Sequence, residues 1–186
     1  MPLRYILPLL TFALILDSCK EEALPKPKAM LRLEYETGDL QPYSTGAYQF
    51  EFNKRAVIEK ESENSVTLKY PDMKGSIFMS YKPVKGDLNK LLRDAQKLSY
   101  EHVVKADNII EQPYIDKGKR VFGMYYEVKG DAASQAQFYL TDSLKHFVTG
   151  SLYFYAKPNY DSIYPAAVYL QKDIRKIMET LRWKEK

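Results

Sequence analysis

The sequence predicts an α+β fold: a single domain in which a largely antiparallel sheet packs against an amphipathic central helix and a long C-terminal helix. Two observations support this prediction. Segments with period-two hydrophobic alternation come in runs, around residues 66–81 and over 120–156, and segments with helical spacing follow each run. Strands and helices therefore do not alternate one by one, as they do in parallel α/β proteins. Without residues 1–18 the chain keeps 168 residues (186 − 18), which is enough for one domain with a hydrophobic core.

The first run of strands is predicted from alternating apolar and polar side chains. One strand is expected at residues 31–35 and another at 66–70. The Pro-Asp-Met-Lys-Gly sequence at 71–75 has the composition of a turn, and residues 76–81 alternate again. Residues 66–81 are therefore expected to form a β-hairpin.

The hydrophobic period changes after Pro83. A central amphipathic helix is expected from about residue 87 to residue 105, because apolar side chains recur there at helical spacing: Leu88, Leu91, Leu92, Ala95, Leu98 and Val103. Pro113 and the turn sequence at 116–119 are then expected to interrupt regular structure.

The second run of strands is expected at residues 120–128, 134–140 and 146–156. Gly130-Asp131 and Asp142-Ser143 separate them, and these links are short enough for an antiparallel meander.

A final helix is expected from about Asp161, with Pro165 tolerated in its first turn. Its apolar positions are Ile163, Ala167, Leu170, Ile174, Ile177 and Leu181.

The N-terminus is typical of an exported protein. Arg4 precedes an apolar stretch at residues 5–16, which has the length of a signal-peptide core and is too short to span a bilayer. Leu16, Ser18 and Cys19 resemble the lipobox of bacterial lipoproteins, although Asp17 departs from its usual small residue. That resemblance implies removal of residues 1–18 and acylation of Cys19, with palmitate among the acyl chains. An ordinary secretory signal and an uncleaved anchor are the alternatives.

The domain boundaries follow from this interpretation. Residues 1–18 are the lipoprotein signal peptide, 19–29 are the lipidated cysteine with an extended tether, and 30–186 are a single α+β domain. The tether contains two prolines between charged residues, which favours an extended and semi-rigid chain.

Composition excludes several classes of function. The formal charge of +4 comes from interspersed lysines and acids, without the basic block that nucleic-acid binding requires. Cys19 is the only cysteine, so no internal disulfide and no free thiolate are expected. We expect no cofactor and no nucleic-acid partner.

No catalytic or metal-binding motif is present in the sequence. His102 and His146 lack metal-ligand spacing, and His146 is expected at an exposed edge position. Asp94 and Glu101 share one helix face, which is more simply explained by solvation, and Ser134 has no neighbouring base. The chain is therefore expected not to be an enzyme and to hold no metal.

A tyrosine-rich sheet face is the candidate interaction surface. If Phe122, Met124 and Tyr126 faced the core, the opposite face would combine rings with hydroxyl and amide groups, as protein contact surfaces and carbohydrate platforms do. The residues expected on that opposite face are Tyr125, Gln135, Gln137, Tyr139, Thr149, Ser151, Tyr153 and Tyr155. The alternative is that a helix or the N-terminal segment covers this face as a second layer.

Long phrases of the sequence resemble the gliding-motility lipoprotein GldD family of Bacteroidetes. These phrases are LPKPKAMLRLEY at residues 24–35, LLRDAQKLSYEHVVKADNIIEQPY at 91–114, GMYYEV at 123–128 and SLYFYAKPNYDSIYPAA at 151–167. The resemblance implies a noncatalytic accessory lipoprotein for gliding and for the associated type IX secretion system.

The resemblance also implies a location and partners. We expect attachment to a membrane through Cys19, at the periplasmic side of the outer membrane or, alternatively, at the cell surface. The expected partners are other envelope proteins of gliding and secretion. The alternative function is a small-ligand or glycan-binding lipoprotein, which would need a concave, tyrosine-lined site.

Overall fold

A computed structural model describes residues 34–36, 38–101, 105–155 and 159–184, and the side chains of all of these except Lys60 and Glu61. The predicted signal peptide, Cys19 and the tether lie outside the described residues. In chain order the elements are β1 (Leu40–Ser44), β2 (Tyr48–Asn53), β3 (Val57–Ser62), β4 (Ser65–Tyr70), β5 (Gly75–Pro83), α1 (Leu88–Tyr100), β6 (Asn108–Asp116), β7 (Val121–Lys129), β8 (Ser134–Thr141), β9 (His146–Phe154), α2 (Tyr160–Thr180) and β10 (Arg182–Trp183).

The predicted α+β class is confirmed. Seven strands form one sheet in the order β3-β4-β5-β9-β8-β7-β6, and all neighbours are antiparallel. Two meanders, β3-β4-β5 and β6-β7-β8-β9, meet where β5 pairs with β9, and α1 is the connection between them. A second sheet has the order β1-β2-β10.

The hairpin predicted over residues 66–81 is formed by β4 and β5. Its turn is a single 3₁₀ turn at Pro71–Met73, followed by Lys74 in the left-handed region at φ 50°. Val66 pairs with Met79 and Leu68 with Ile77, so all four side chains lie on one face of the sheet. That face is buried and is called the core face below.

The core lies between the core face, α2 and the small sheet. Leu68, Ile77 and Leu152 of the large sheet pack with Leu170 and Ile174 of α2, and all five are fully buried. The apolar stripe predicted for α2 is thus confirmed. Since burying one such side chain contributes roughly 1.5–3 kcal/mol, this layer supplies much of the stability.

Glycine is required at position 150 of β9, because the Phe138 ring lies against it on the core face. A Cβ atom at Gly150 would approach the Cε1 atom of Phe138 to 2.1 Å, well inside van der Waals contact. The strand residues Gly150 and Phe138 are direct partners across β8 and β9. The ring therefore occupies the space that any side chain at this position would need.

Both predicted helices are present, with different ends. The described part of α1 ends at Tyr100, and His102 lies outside the described residues. Helix α2 begins after Asn159, whose side chain accepts a hydrogen bond from the Ser162 amide. Pro165 lies inside α2, so its placement in the first turn was wrong.

Several strands were not predicted. Residues 108–116 form β6, although Pro113 was expected to break regular structure there. Proline is tolerated in β6 because this strand lies at the edge of the sheet. The strand expected at 31–35 is only partly described, and Glu34 to Glu36 are not in a strand.

Within the described ranges, neither helix combines the length with the hydropathy that a bilayer span requires.

Candidate functional site

Six of the eight residues predicted for the tyrosine-rich face lie on the face opposite the core face, which we call the outer face. The register pairs Gln137 with Ser151 and Tyr139 with Thr149 across β8 and β9. Tyr153 lies two residues beyond Ser151 on β9 and therefore on the same side. These residues of β8 and β9 therefore lie together on one face, as predicted.

Tyr125 does not belong to the outer face. It pairs with Phe138 on the core face and is 1% exposed. The Arg175 guanidinium of α2 lies 4.4 Å from the centre of its ring. Burial raises the pKa of Tyr125, although the Arg175 charge opposes that effect. Phe122, Met124 and Tyr126 of β7 consequently lie on the outer face, so the prediction that they face the core was wrong.

Gln135 also does not reach the outer surface. It sits at a register shift between Ser134 and Ala136, so the regular alternation is interrupted there. Its buried amide donates to the carbonyl oxygens of Gly130 at 3.2 Å and Ala132 at 2.9 Å. Gln135 closes the β7–β8 turn from inside and has a structural role.

Helix α1 covers part of the outer face. Ser99 of α1 is 1% exposed, and its hydroxyl donates to Gln137 Oε1 at 2.9 Å. At the same end of the helix, the Tyr100 hydroxyl donates to a Glu111 carboxylate oxygen. Gln137 is 2% exposed. Around this residue the alternative stated above, that a helix covers the face as a second layer, is therefore correct.

The remaining predicted residues are more accessible, and together they are called the outer strip. They combine aromatic rings and hydroxyl groups: Tyr139, Thr149, Ser151, Tyr153 and Tyr155. Tyr155 is 60% exposed, and the other four are half-buried.

Ring contacts hold the outer strip in place. Tyr139 stacks on Phe147 with 5.6 Å between ring centres, and Tyr153 meets Phe78 edge-on at 5.7 Å. The Ser76 hydroxyl donates to the Tyr155 phenol oxygen at 3.2 Å. The outer strip is thus a supported surface with both apolar and hydrogen-bonding groups.

A second candidate site lies at one end of the sheet, where four tight turns meet. These turns follow β1, β3, β6 and β8, and together with the end of β5 and residues 183–184 they line a cleft of about 1050 Å³. We call it the end cleft. No sequence pattern predicted it, because its walls come from segments that are far apart in the chain.

Aromatic rings form one wall of the end cleft. The His146 and Trp183 rings stack at 5.1 Å with an interplanar angle of 7°. Tyr48 lies 5.9 Å from Tyr81 and 6.5 Å from Trp183, measured between ring centres. The Trp183 indole nitrogen donates to the Arg120 carbonyl oxygen at 3.0 Å, which fixes the orientation of its ring.

His146 begins a central strand, so its predicted exposed edge position was wrong. Its Nδ1 atom and the Tyr81 hydroxyl are 3.0 Å apart. Burial lowers the pKa of His146, and the nearby Lys145 charge acts in the same direction against the opposing Asp142 carboxylate. The imidazole therefore favours its neutral form in the folded protein.

Asp142 organises the β8–β9 turn beside the end cleft. Its Oδ1 atom accepts hydrogen bonds from the backbone amides of Leu144 at 2.9 Å and of Lys145 and His146, both at 2.8 Å. Although burial acts to raise it, these three donors lower the pKa of Asp142 overall. The carboxylate is an internal cap, and this turn fixes the start of β9.

In the described part of the chain, Ser134, Asp94 and Glu101 do not form a catalytic grouping. The buried Ser134 hydroxyl donates to the Ala136 carbonyl oxygen at 3.1 Å, and Asp94 and Glu101 lie exposed at the end and side of α1. Among the described residues no three His, Cys, Asp or Glu side chains are grouped to hold a metal ion. The two surfaces that remain are the outer strip and the end cleft.

The family comparison covers nearly the whole chain after Cys19. A family model described as gliding motility lipoprotein GldD matches residues 20–183. No curated protein matches the chain. The matched range includes the outer strip and every residue that lines the end cleft except Lys184.

Proposed function

The chain belongs to the gliding motility lipoprotein GldD family, which implies a role in gliding motility and association with the cell envelope, and on this premise we propose a noncatalytic mode of action. The protein is an envelope-anchored module that supports gliding and the associated type IX secretion machinery through contacts with other envelope proteins. The observation that carries this proposal is the outer strip, a supported surface of rings and hydroxyls within the matched range.

Acylated Cys19 provides the attachment to the membrane. The family match begins at residue 20, immediately after this cysteine. Residues 20–33 separate Cys19 from the first described residue, and a fully extended chain spans at most about 3.3–3.6 Å per residue. The domain therefore works within roughly 50 Å of the bilayer surface, which we assign to the periplasmic side of the outer membrane.

The two candidate surfaces differ in their position relative to this anchor. The chain enters the domain at Glu36, whose carbonyl oxygen accepts a hydrogen bond from Tyr169 at 2.8 Å, and Asp39 then pairs with Lys54 at the start of β1. The end cleft contains the opposite end of the β1–β2 hairpin. The end cleft is therefore at the end of the domain that is remote from the tether.

The outer strip has the composition of a protein contact surface. Tyrosine contributes a large apolar ring at low cost in side-chain entropy and a hydroxyl that can bond a partner. Tyr155, at 60% exposed, is the most accessible ring in the outer strip. Since α1 already covers the neighbouring part of the outer face, a partner protein would extend this layer over β9.

The test compares two equally exposed side chains in cells. Tyr155→Ser changes the outer strip, and Leu144→Ser changes a side chain that is 61% exposed in the lining of the end cleft, away from the outer strip. We expect Tyr155→Ser to reduce gliding and secretion and to weaken co-purification of an envelope partner. The variant should still fold, with a stability loss of about 1–3 kcal/mol because the buried Ser76 hydroxyl loses its acceptor. Normal gliding, secretion and co-purification in Tyr155→Ser would contradict the proposal.

The end cleft favours a second candidate function. A ligand-binding lipoprotein needs a concave, tyrosine-lined site, and the end cleft is lined by Tyr43, Tyr48, Tyr81 and Trp183. Its volume of about 1050 Å³ is at the upper end of the usual range for small-molecule sites. A ligand held there would lie away from the outer strip, so both functions can coexist in one domain.

A further inference from the structure

We propose that the end cleft binds an acidic saccharide, a short chain of sugar rings that carry carboxylate or sulfate groups. This inference rests on the second candidate function and names its ligand class.

Backbone pairing in the turns argues against an extended peptide as the ligand. The Thr45 amide donates to the Tyr48 carbonyl oxygen at 2.9 Å, and the Val84 amide donates to the Lys145 carbonyl oxygen at 2.8 Å. The Lys184 amide donates to the Ala47 carbonyl oxygen at 2.8 Å. A peptide bound as an added strand needs a row of free backbone donors and acceptors. Since the turns use these groups among themselves, side chains provide the recognition.

The side chains that line the end cleft match the two sides of a sugar ring. A saccharide presents hydroxyl groups around its rim and apolar C–H groups on its face. The lining has aromatic rings for the C–H face, and the β1–β2 and β3–β4 turns contribute hydroxyl and amide groups to it. These groups belong to Ser44, Thr45, Ser62, Asn64 and Ser65.

Cationic side chains indicate that the saccharide is acidic. Arg120 and Lys145 extend from the β6–β7 and β8–β9 turns, and both residues are exposed. Within the part of the chain that the structure describes, neither head group has a hydrogen bond or an ion pair. Lys119 and Lys184 also line the cleft, but they are engaged, with Asp116 at 2.8 Å and with the Thr45 carbonyl at 2.7 Å.

The negative groups of the end cleft do not cancel this charge. Two acidic residues line the cleft against four cationic ones. One of the two, Asp142, faces three backbone amides with Oδ1. The other, Glu63, is exposed and offsets part of the positive charge, but the cationic residues remain in the majority, and Arg120 and Lys145 are the exposed ones among them.

The experiment measures binding to the full-length protein in detergent by titration calorimetry. The probes are hexagalacturonate, its methyl ester as a neutral match, a chondroitin sulfate hexasaccharide, and hexaglutamate as a peptide of similar charge. We expect an acidic hexasaccharide to bind. The neutral ester should bind about tenfold more weakly, as loss of two exposed ion pairs permits. Hexaglutamate should also bind more weakly, because it keeps the charges but lacks the apolar C–H face that the aromatic rings of the cleft would contact.

Two charge variants locate the site. The double variant Arg120→Asn with Lys145→Gln should weaken binding of the acidic hexasaccharide about tenfold, which is within the range for two exposed ion pairs. Asparagine tolerates the left-handed backbone of Arg120, at φ 53°. The matched control, Lys90→Gln with Lys172→Gln, removes the same charge from exposed helix positions and should leave binding unchanged.

Each remaining result would overturn a defined part of the inference. Equal affinity for hexagalacturonate and its methyl ester would refute the requirement for acid while keeping a saccharide site. Equal affinity for hexaglutamate would refute the saccharide class. Failure of both acidic hexasaccharides to bind would overturn the inference entirely, and co-purification through the outer strip would still test the proposed protein contacts separately.

Discussion

The hydrogen bond from Ser99 to Gln137 should be the polar anchor of α1 on the outer face. Ser99→Ala removes the donor and leaves Gln137 Oε1 buried, at 2.9 Å from where the hydroxyl was. Gln137 Nε2 is already without a hydrogen-bond partner in the described part of the chain. A buried acceptor left unsatisfied costs about 1–3 kcal/mol, so Ser99→Ala should lower the free energy of unfolding by this amount.

The reciprocal change should cost less. In Gln137→Met the buried amide is replaced by an apolar side chain of similar length, and the Ser99 hydroxyl keeps its bond to the Ala95 carbonyl oxygen at 3.1 Å. The expected loss is roughly 1 kcal/mol or less, and the double variant should stay within about 1 kcal/mol of the natural protein because no buried polar atom is abandoned.

Urea unfolding of the chain from Lys20 onward measures all members of this cycle. Ser80→Ala is the control, because Ser80 is half-buried on the same outer face and surface changes usually stay within about 0.5 kcal/mol. If Ser99→Ala were as stable as the control, or if the losses in the two single variants simply added, the contact between α1 and Gln137 would not be the anchor that the geometry indicates.

Four further outcomes are expected. Cys19→Ala should abolish membrane attachment and metabolic acyl labelling without changing the fold, and label on the variant would refute lipidation. A chelator should leave the thermal melt of the soluble domain unchanged, and a large drop would reveal a metal site. Gly150→Ala should cost about 1–3 kcal/mol by colliding with Phe138, and Phe138→Leu in the same chain should recover part of that loss in urea unfolding. The neutral His146 ring contributes stability above pH 6.5, and this contribution is lost as the pH falls through its lowered pKa. In His146→Gln the free energy of unfolding should therefore decrease less steeply at acid pH than in the natural protein, as unfolding at a series of pH values would measure.

The sequence identified the elements whose hydrophobic pattern was continuous. Helix α2 and strands β4, β5, β8 and β9 were predicted because one apolar face runs along each of them without interruption. Strand β6 was missed because Pro113 normally ends a strand, and only its edge position makes the proline acceptable. Local sequence does not contain the information that a segment lies at an edge.

The error at Tyr125 has a related cause. Strand β7 has apolar side chains on both sides. One side has Phe122, Met124 and Tyr126, and the other has Val121 and Tyr125, so composition did not decide which side faces the core. The register with β8 decides it, since Tyr125 pairs with Phe138. A shift of one residue reverses every side chain of a strand. This is why the predicted tyrosine face was right on β9 and at Gln137 and Tyr139 of β8, but wrong on β7 and at Gln135, where the register of β8 shifts.

The end cleft could not have been predicted from spacing. His146 and Trp183 stack face to face although 36 residues separate them in the sequence (183 − 147). His146 belongs to the large sheet, whereas Trp183 and its strand partner Tyr48 belong to the small sheet. Only the antiparallel order of the strands places these turns together.

The central claim is that the outer strip contacts a partner protein in the envelope. The most direct measurement is photo-crosslinking in gliding cells with a benzophenone amino acid at position 155, compared with position 144, where exposure is nearly equal at 60% and 61%. The account predicts a discrete adduct with an envelope protein from position 155 and none from position 144. The absence of an adduct at position 155 in cells that glide and secrete normally would contradict it.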